Sequence, residues 1–454
     1  MISRRLFLGG VIAAPVTAWA DPLAMRPPLR PVPSPDQVLA RAGLRGIVSY
    51  AVLPLRGDAL LRDADTPLPP ASTLKALTAM YVLDRLGAAH RFRTRVFLAG
   101  DALILAGGGD PVLSTDDLAV LAADIAPRLR DTPPRRFLVW GGALPQLTQI
   151  APEQAAHLPY NPSISGMMLN FNRVHLGWRA RGTDLTVEAR AARHTPRAFT
   201  INAAAADHGD LFRYRADEAR EYWTVSRAAM AQPGSRWLPV RLPAVYAGDV
   251  FQTLCRAQGL ALPAPEITRD PPQGVEIAYH TSPETGILLR DMLEFSTNIT
   301  AEALGLYASG AADLGASAAA MQAWLGPVAS GLHLADHSGL SEASRVTARD
   351  MAAVMQGPGR ELGIAALLRQ TRLPDDGPLA AQVASKSGTL NFVSNLAGYV
   401  TAPDGGSAAF ALICADPARR AAAIGQENPA GVVSWTRQAR ALHRDLLTSF
   451  AAKL

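Results

Sequence analysis

Ser72-Thr73-Leu74-Lys75 opens a segment that runs without a helix-breaking residue as far as Gly87. Two prolines before the segment terminate any preceding helix or strand, and Gly87 is a typical C-terminal cap. The pattern therefore predicts a helix over 71–86. Apolar side chains wrap most of the way round this helix: Leu74, Leu77, Met80, Tyr81, Val82, Leu83 and Leu86. We therefore expect a helix that is buried on nearly every side, against which the rest of the chain is arranged.

Lys75 stands in the first turn of this helix, where a cation is poorly placed. It faces the positive end of the helix dipole and loses solvation, and both effects favour the neutral amine. Ser72 lies three residues earlier and therefore shares one helix face with Lys75. A hydroxyl beside a lysine that is pushed toward its neutral form is a candidate nucleophile with its base.

The composition is that of a large globular protein. The chain has 454 residues, of which 48% are hydrophobic, so it is long enough for two or three domains. Its formal charge is +5, and no run of Lys and Arg with interleaved aromatic residues indicates nucleic-acid binding. The charge supports at most a weak attraction to an anionic substrate or surface.

The N-terminus has the features of an export signal. Ser3-Arg4-Arg5-Leu6-Phe7-Leu8 is a twin-arginine pattern, and Ala18-Trp19-Ala20 after an apolar stretch is a typical cleavage site. The apolar stretch is too short to span a membrane. We expect residues 1–20 to be removed on export to the periplasm, with the arginine pair favouring the twin-arginine route over general secretion.

The order of predicted elements suggests a domain that is interrupted by an insertion. A strand over 46–55, paired with a second strand near 59–61, precedes the 71–86 helix. From about residue 94 short strands and turns dominate, and the Ala- and Arg-rich stretch 179–210 looks irregular. We expect one or two β-rich subdomains over 94–276, inserted into a discontinuous domain that is made of 21–93 and 277–454.

The last third of the chain returns to helices and then to a sheet. A helix over 285–295 ends just before Ser296-Thr297-Asn298, which lies in a break between two helices. A strand over 382–389 is followed by a hairpin, and an amphipathic helix over 430–452 closes the chain. Packing of this helix on the sheet is favoured over a position on a membrane surface.

Neither the cysteines nor the histidines indicate a cofactor. Cys255 and Cys414, the only cysteines, both lie in apolar patterns, so two buried free thiols are favoured over a disulfide. His333 and His337 are four residues apart, but the glutamate of a metallopeptidase helix is missing between them. No metal or other cofactor is predicted.

Three short patterns occur in a fixed order: Ser72-x-x-Lys75, Ser296-x-Asn298 and Lys386-Ser387-Gly388. Each of them alone is common in proteins of other functions. Together they fall on a helix start, on a turn between helices and on a strand of the last sheet. This combination is typical of penicillin-binding proteins and β-lactamases.

Four further segments resemble the class C low-molecular-mass penicillin-binding proteins, the D-alanyl-D-alanine carboxypeptidase/endopeptidases: 105–111, 169–172, 247–251 and 336–341. The resemblance covers nearly all of the chain after the export signal and includes the long gap between the first two motifs. Ser387 stands where threonine is frequent and His337 where glycine is frequent, and neither departure removes a needed group. The resemblance implies an α+β fold, in which a β-lactamase/transpeptidase-like domain with helices on both faces of an antiparallel sheet carries a β-rich insertion.

The resemblance also implies the reaction. Ser72 would attack the carbonyl of a D-Ala-D-Ala or D-Ala–diaminoacyl bond to form an acyl-enzyme, with Lys75 as the base. Ser296 would relay a proton to the leaving amine. The implied partners are peptidoglycan stem peptides and β-lactams that trap Ser72, with no nucleic acid and at most peripheral membrane contact.

Substrate binding is implied for residues of the second and third motifs. Asn298 would hold the substrate amide and the lysine of the first motif. Lys386 would bind the terminal carboxylate, with Ser387 alongside. The backbone N–H groups of Thr389 and Ser72 would form the oxyanion hole.

Two other functions remain open from the sequence. One is a Ser-x-x-Lys β-lactamase or esterase on the same fold, and the other is a catalytically silent protein that binds cell wall through its insertion. Sequence also does not separate carboxypeptidase from endopeptidase action, since both would use one site.

Overall fold

The structure is a computed structural model that describes residues 32–179, 184–373 and 380–454. The predicted export signal, residues 1–20, lies outside the described residues. Within them, the strands in chain order are β1 (Ile47–Pro54), β2 (Leu60–Arg62), β3 (Arg93–Ala99), β4 (Ala102–Ala106), β5 (Arg136–Trp140), β6 (Arg173–Trp178), β7 (Leu185–Glu188), β8 (Ile201–Ala206), β9 (Phe212–Ala216), β10 (Glu221–Ser226), β11 (Gly234–Pro239), β12 (Pro265–Thr268), β13 (Val275–Thr281), β14 (Arg369–Leu373), β15 (Ala381–Leu390), β16 (Val393–Thr401) and β17 (Ser407–Ala415).

The helices vary from a single turn to the long closing helix. They are α1 (Pro35–Ala42), α2 (Leu74–Leu86), α3 (Thr115–Leu129), α4 (Pro243–Ala257), α5 (Thr285–Phe295), α6 (Asn298–Ser309), α7 (Leu314–Leu325), α8 (Ala348–Gln356), α9 (Pro358–Glu361), α10 (Pro417–Ala422) and α11 (Val432–Ala451). No helix of the described ranges is long and apolar enough to cross a membrane.

The main sheet joins the two ends of the described chain. Its order is β14-β15-β16-β17-β1-β2, and every neighbouring pair is antiparallel. The N-terminal strand β1 therefore lies beside β17, the last strand, and the predicted pairing of the strand near 59–61 with the first strand is confirmed.

Helices cover both faces of this sheet because its strands alternate. On β17, Ala409 and Ala411 face a core shared with α2, α5, α6 and α8, while Phe410 and Leu412 face a core shared with α1 and α11. The small alanines allow α8 to pack closely, and the large side chains fill the space under α11. The predicted packing of the closing helix on the sheet is confirmed.

The predicted central helix is α2, preceded by a 3-10 turn over Ala71–Thr73. Its residues from Leu74 to Val82 are all buried, which confirms the predicted burial on nearly every side. The first turn is tighter than an α-helix because Pro70 accepts hydrogen bonds from both the backbone N–H and the hydroxyl of Thr73, the latter at 2.6 Å.

Between α2 and α5 the chain builds further sheets. A five-stranded sheet has the order β12-β5-β4-β3-β13, and two three-stranded sheets have the orders β8-β10-β9 and β11-β6-β7. The expectation that 179–210 is irregular was wrong for β8, which pairs in parallel with β10. Its alanine-rich sequence carries little intrinsic strand preference, so a tertiary partner supplies the strand. The domain boundaries given above stay a prediction.

Both cysteines are buried and free, as predicted. Cys255 lies on α4, and Cys414 lies on β17 in the core under α11.

The packing of α11 predicts a loss of stability on truncation of its buried face. Leu446 is 0% exposed in the core between α11 and the sheet. Leu446→Ala should therefore lower the free energy of unfolding by on the order of 2–5 kcal/mol, measured by denaturant unfolding. The matched control is Leu55→Ala, since Leu55 is exposed just beyond β1 and should cost little. Equal losses for the two variants would contradict the packing described here.

Candidate active site

The three sequence motifs meet at one end of α2. Ser72 lies in the turn that begins the helix, Ser296 lies between α5 and α6, and Lys386 lies on β15. Asn298 was expected in the break between the helices, but it is the first residue of α6. Ser296 has a left-handed backbone (φ 59°), which ends α5 and turns the chain into α6 within two residues.

Lys75 is held by three acceptors and is wholly buried. Its Nζ lies 2.9 Å from Ser72 Oγ, 2.7 Å from Asn298 Oδ1 and 2.9 Å from the carbonyl oxygen of Ser338. Burial lowers the pKa of Lys75 to about 7, with repulsion by Lys386 in the same direction. A substantial fraction of the amine is therefore neutral near pH 7, and the neutral form can accept the proton of the Ser72 hydroxyl.

Lys386 supplies a second buried amine beside Lys75. It is 3% exposed, and its Nζ donates to Ser296 Oγ at 3.1 Å and to the carbonyl oxygen of Ser387 at 2.8 Å. Burial lowers the pKa of Lys386 to about 8. Ser296 is thus hydrogen-bonded to an amine that still carries its proton at neutral pH.

A buried acidic pair fixes the carbonyl that accepts from Lys75. The side-chain oxygens of Glu302 accept from the backbone N–H groups of His337 and Ser338, at 3.0 and 2.8 Å. Asp336 is buried next to it and binds Ser341 N and Ser344 Oγ. Burial raises the pKa of both carboxyl groups.

Sequence reasoning had placed 336–341 within a family resemblance without giving it a role, and it had missed Glu302. The available signal was a glutamate in the otherwise non-polar run from Ala301 to Leu306.

The turn that carries Ser72 is anchored to the main sheet. Asn395 of β16 donates from Nδ2 to the carbonyl oxygens of Pro69 and Pro70, both at 2.9 Å. On the neighbouring strand, a Cβ atom at Gly388 would lie 2.9 Å from the backbone nitrogen of Ser72. Only glycine allows β15 to approach this closely, and the approach brings the following residue, Thr389, next to Ser72.

Ser72 opens into a cleft of about 850 Å³. Of the predicted site residues, Ser72, Ser296, Asn298 and Thr389 line this cleft. The cleft lining among the described residues does not include Lys75 or Lys386, which are buried behind it, or Ser387. Ser387 is exposed and points to the opposite face of β15 from Lys386.

The segment between β5 and β6 also contacts the site through Tyr160. The sequence did not indicate this contact. Asn298 Nδ2 donates to the carbonyl oxygen of Tyr160 at 2.9 Å, and Tyr160 lines the cleft. A backbone carbonyl has no sequence signature, so this contact could not have been read from motifs.

One strand edge beside the cleft is free. β14 pairs with residues 381–385 of β15, whereas in the described part of the chain residues 386–390 pair on one side only, with β16. A free edge next to Ser72 can accept an extended peptide as an additional strand.

Two proteins of similar sequence are carboxypeptidases, and a family model matches most of the chain. The sequence model of the family described as D-Ala-D-Ala carboxypeptidase 3 (S13) matches residues 48–439. A D-alanyl-D-alanine carboxypeptidase of Actinomadura sp. (strain R39) is 28% identical over 430 residues, which cover 83% of this chain and 79% of that protein. A carboxypeptidase of Mycobacterium tuberculosis is 28% identical over 386 residues, which cover 77% of this chain and 71% of that protein.

The fold is similar to that of a solved structure, penicillin binding protein 4 from Haemophilus influenzae. The two superpose with a TM-score of 0.70 at 19% identity, over 90% of this chain and 98% of the other. This similarity confirms the predicted α+β fold class. Because the family model spans most of the sequence, the chain belongs to the D-Ala-D-Ala carboxypeptidase 3 (S13) family of serine hydrolases, as its motifs had predicted.

Proposed function

We propose that Ser72 is the nucleophile of a D-Ala-D-Ala peptidase that works through an acyl-enzyme, with Lys75 as its base. The observation that carries the proposal is the 2.9 Å contact between Ser72 Oγ and a wholly buried amine. Neutral Lys75 takes the hydroxyl proton while Ser72 attacks the carbonyl of the penultimate D-Ala. The backbone N–H groups of Ser72 and Thr389 stabilise the oxyanion, each by ~3 kcal/mol.

The leaving amine then needs a proton, and Ser296 is placed to relay it. Its hydroxyl lines the cleft on one side and binds the Lys386 ammonium on the other. Asn298 positions Lys75 through Oδ1 and is itself held by Tyr160, while its second Nδ2 hydrogen is left for the substrate amide. Water finally hydrolyses the acyl-enzyme and releases the shortened peptide.

The substrates we propose are peptidoglycan stem peptides, which would pair with the free edge of β15 in an extended conformation. β-Lactams would acylate Ser72 in place of the peptide. The Haemophilus influenzae protein of similar fold has been solved in complex with a β-lactam. The N-terminal signal supports action in the periplasm, where these substrates are found.

Endopeptidase action is the second candidate, and the size of the cleft favours it. The cleft continues past Thr389 along Leu390 and Asn391 to α10 and α11, and its volume of about 850 Å³ exceeds what one terminal D-Ala needs. Digestion of purified muropeptides, pentapeptide monomers against cross-linked dimers, distinguishes the two activities.

Ser72→Ala should abolish covalent labelling by a fluorescent penicillin, because the bond to the acyl group cannot form. Hydrolysis of a D-Ala-D-Ala peptide should fall by more than roughly 10⁴-fold. Labelling on a denaturing gel and release of free D-Ala provide the two measurements. Ser330→Ala, at an exposed serine outside the cleft, is the matched control. Labelling that persists in Ser72→Ala would refute the assignment of the nucleophile.

Lys75→Arg should reduce acylation by roughly 10²- to 10⁴-fold, because a guanidinium keeps its proton and cannot act as base at neutral pH. The rate of penicillin acylation measures this loss in a protein that still has Ser72. The control is Lys453→Arg, which exchanges an exposed lysine near the C-terminus and should leave the rate unchanged. Near-normal acylation of the Lys75 variant would rule out its role as base.

The rate of acylation should have a bell-shaped dependence on pH. It should rise as Lys75, whose pKa is about 7, loses its proton, and fall as Lys386, whose pKa is about 8, loses the proton that Ser296 needs. The two amines repel each other, so the apparent pKa values of the two limbs of the profile belong to the pair and not to either lysine alone. Acylation followed from about pH 5 to about pH 10 checks this. A flat rate across neutral pH would contradict the proposed proton path.

A further inference from the structure

Four arginines in the described ranges line the cleft, and the catalytic scheme uses none of them. Arg420 is paired with Glu342, whereas the other three come from α11. Arg437, Arg440 and Arg444 lie on one exposed face of α11 and line the cleft. Among the described residues no carboxylate lies within salt-bridge distance of any of them. A cation in a cleft attracts an anionic group of the ligand that comes close to it.

Arg440 is the arginine that reaches the catalytic strand. One of its guanidinium nitrogens, Nη2, lies 3.5 Å from Thr389 Oγ1. Thr389 follows Gly388, which packs against the backbone of Ser72. The guanidinium therefore lies beside the strand segment that approaches Ser72, within reach of a substrate bound there.

Lys386 is poorly placed to receive an anion. It is 3% exposed, it does not line the cleft, and it already donates to Ser296 and to a backbone carbonyl. Direct binding of the substrate carboxylate by Lys386 stays a prediction, and the amine contacts the cleft-lining residue Ser296. A guanidinium also presents two parallel N–H groups to a carboxylate, which an ammonium does not.

We propose that Arg440, together with the hydroxyl of Thr389, binds the carboxylate next to the scissile nitrogen and so selects substrates whose leaving residue carries that charge. The inference rests on the proposed function of Ser72. It applies to both candidate activities, since a terminal D-Ala and the D-centre of a cross-linked diamino acid each carry a carboxylate at this position. Arg440 is a specificity-determining residue and takes no part in proton transfer.

The test compares one N-acetylated peptide ending in D-Ala-D-Ala with the same peptide as its C-terminal amide. The two differ by a single charge next to an identical scissile bond. The wild-type protein should have a higher kcat/KM for the acid than for the amide. Arg440→Gln should reduce this preference by roughly 10- to 100-fold, because kcat/KM falls for the acid and stays unchanged for the amide. Arg440→Lys should restore part of the preference, since it returns the charge without the two-pronged geometry.

Arg444→Gln is the matched control, because it removes an equally exposed cation of the same helix face and cleft. Its preference for the acid should match the wild type. If the two glutamine variants lose the preference equally, a diffuse positive potential and not Arg440 selects the substrate, and the proposal is overturned. An unchanged preference in Arg440→Gln overturns it as well.

Failure of the proposed function would give a different result. If Ser72 is not the nucleophile, Ser72→Ala retains hydrolysis of the acid, whatever the Arg440 variants do. Since Arg440 is exposed and glutamine is a good helix former, the variant should also keep the wild-type thermal unfolding midpoint.

Discussion

The removal of the Lys75 amine from water is the constraint on which the rest of the site depends. A buried ammonium is costly unless every N–H finds an acceptor, and Lys75 has three: a hydroxyl, a side-chain amide and a backbone carbonyl. Each acceptor comes from a different part of the chain, so the buried lysine is satisfied only when α2, α6 and the loop at Ser338 are all in place. The same burial lowers the pKa of Lys75 and makes the amine available as a base. Fold and chemistry thus share one physical cause.

The acceptors are in turn held by groups further from the nucleophile. Glu302 fixes the loop that carries the Ser338 carbonyl, and the Tyr160 carbonyl orients the amide of Asn298. Asn395 ties the turn before Ser72 to β16. These groups position Lys75 and Ser72 within hydrogen-bond distance of each other before any substrate arrives. Such preorganisation reduces the rearrangement that acylation requires.

Sequence predicted the parts of this arrangement that have local causes. The central helix was predicted from its unbroken apolar pattern and from Gly87. The shift of Lys75 toward its neutral form was predicted from its place in the first turn. The three motifs identified the residues around the nucleophile because their spacing and order are distinctive. Glu302, the carbonyl of Tyr160 and the strand at 201–206 were missed, since each acquires its role from a partner far away in the chain. A backbone carbonyl or an alanine-rich strand carries no local sign of such a partner.

The separation of the two buried lysines from the exposed arginine of α11 has an electrostatic advantage for the proposed reaction. A carboxylate bound directly at the lysines would favour their charged forms and raise the pKa of Lys75, which would remove the neutral base just as the substrate arrives. In the proposed arrangement, Arg440 would hold that charge at the solvent-exposed side of Thr389, where it is better screened. Substrate recognition and proton transfer can then rest on different cations, and each can be strong without weakening the other.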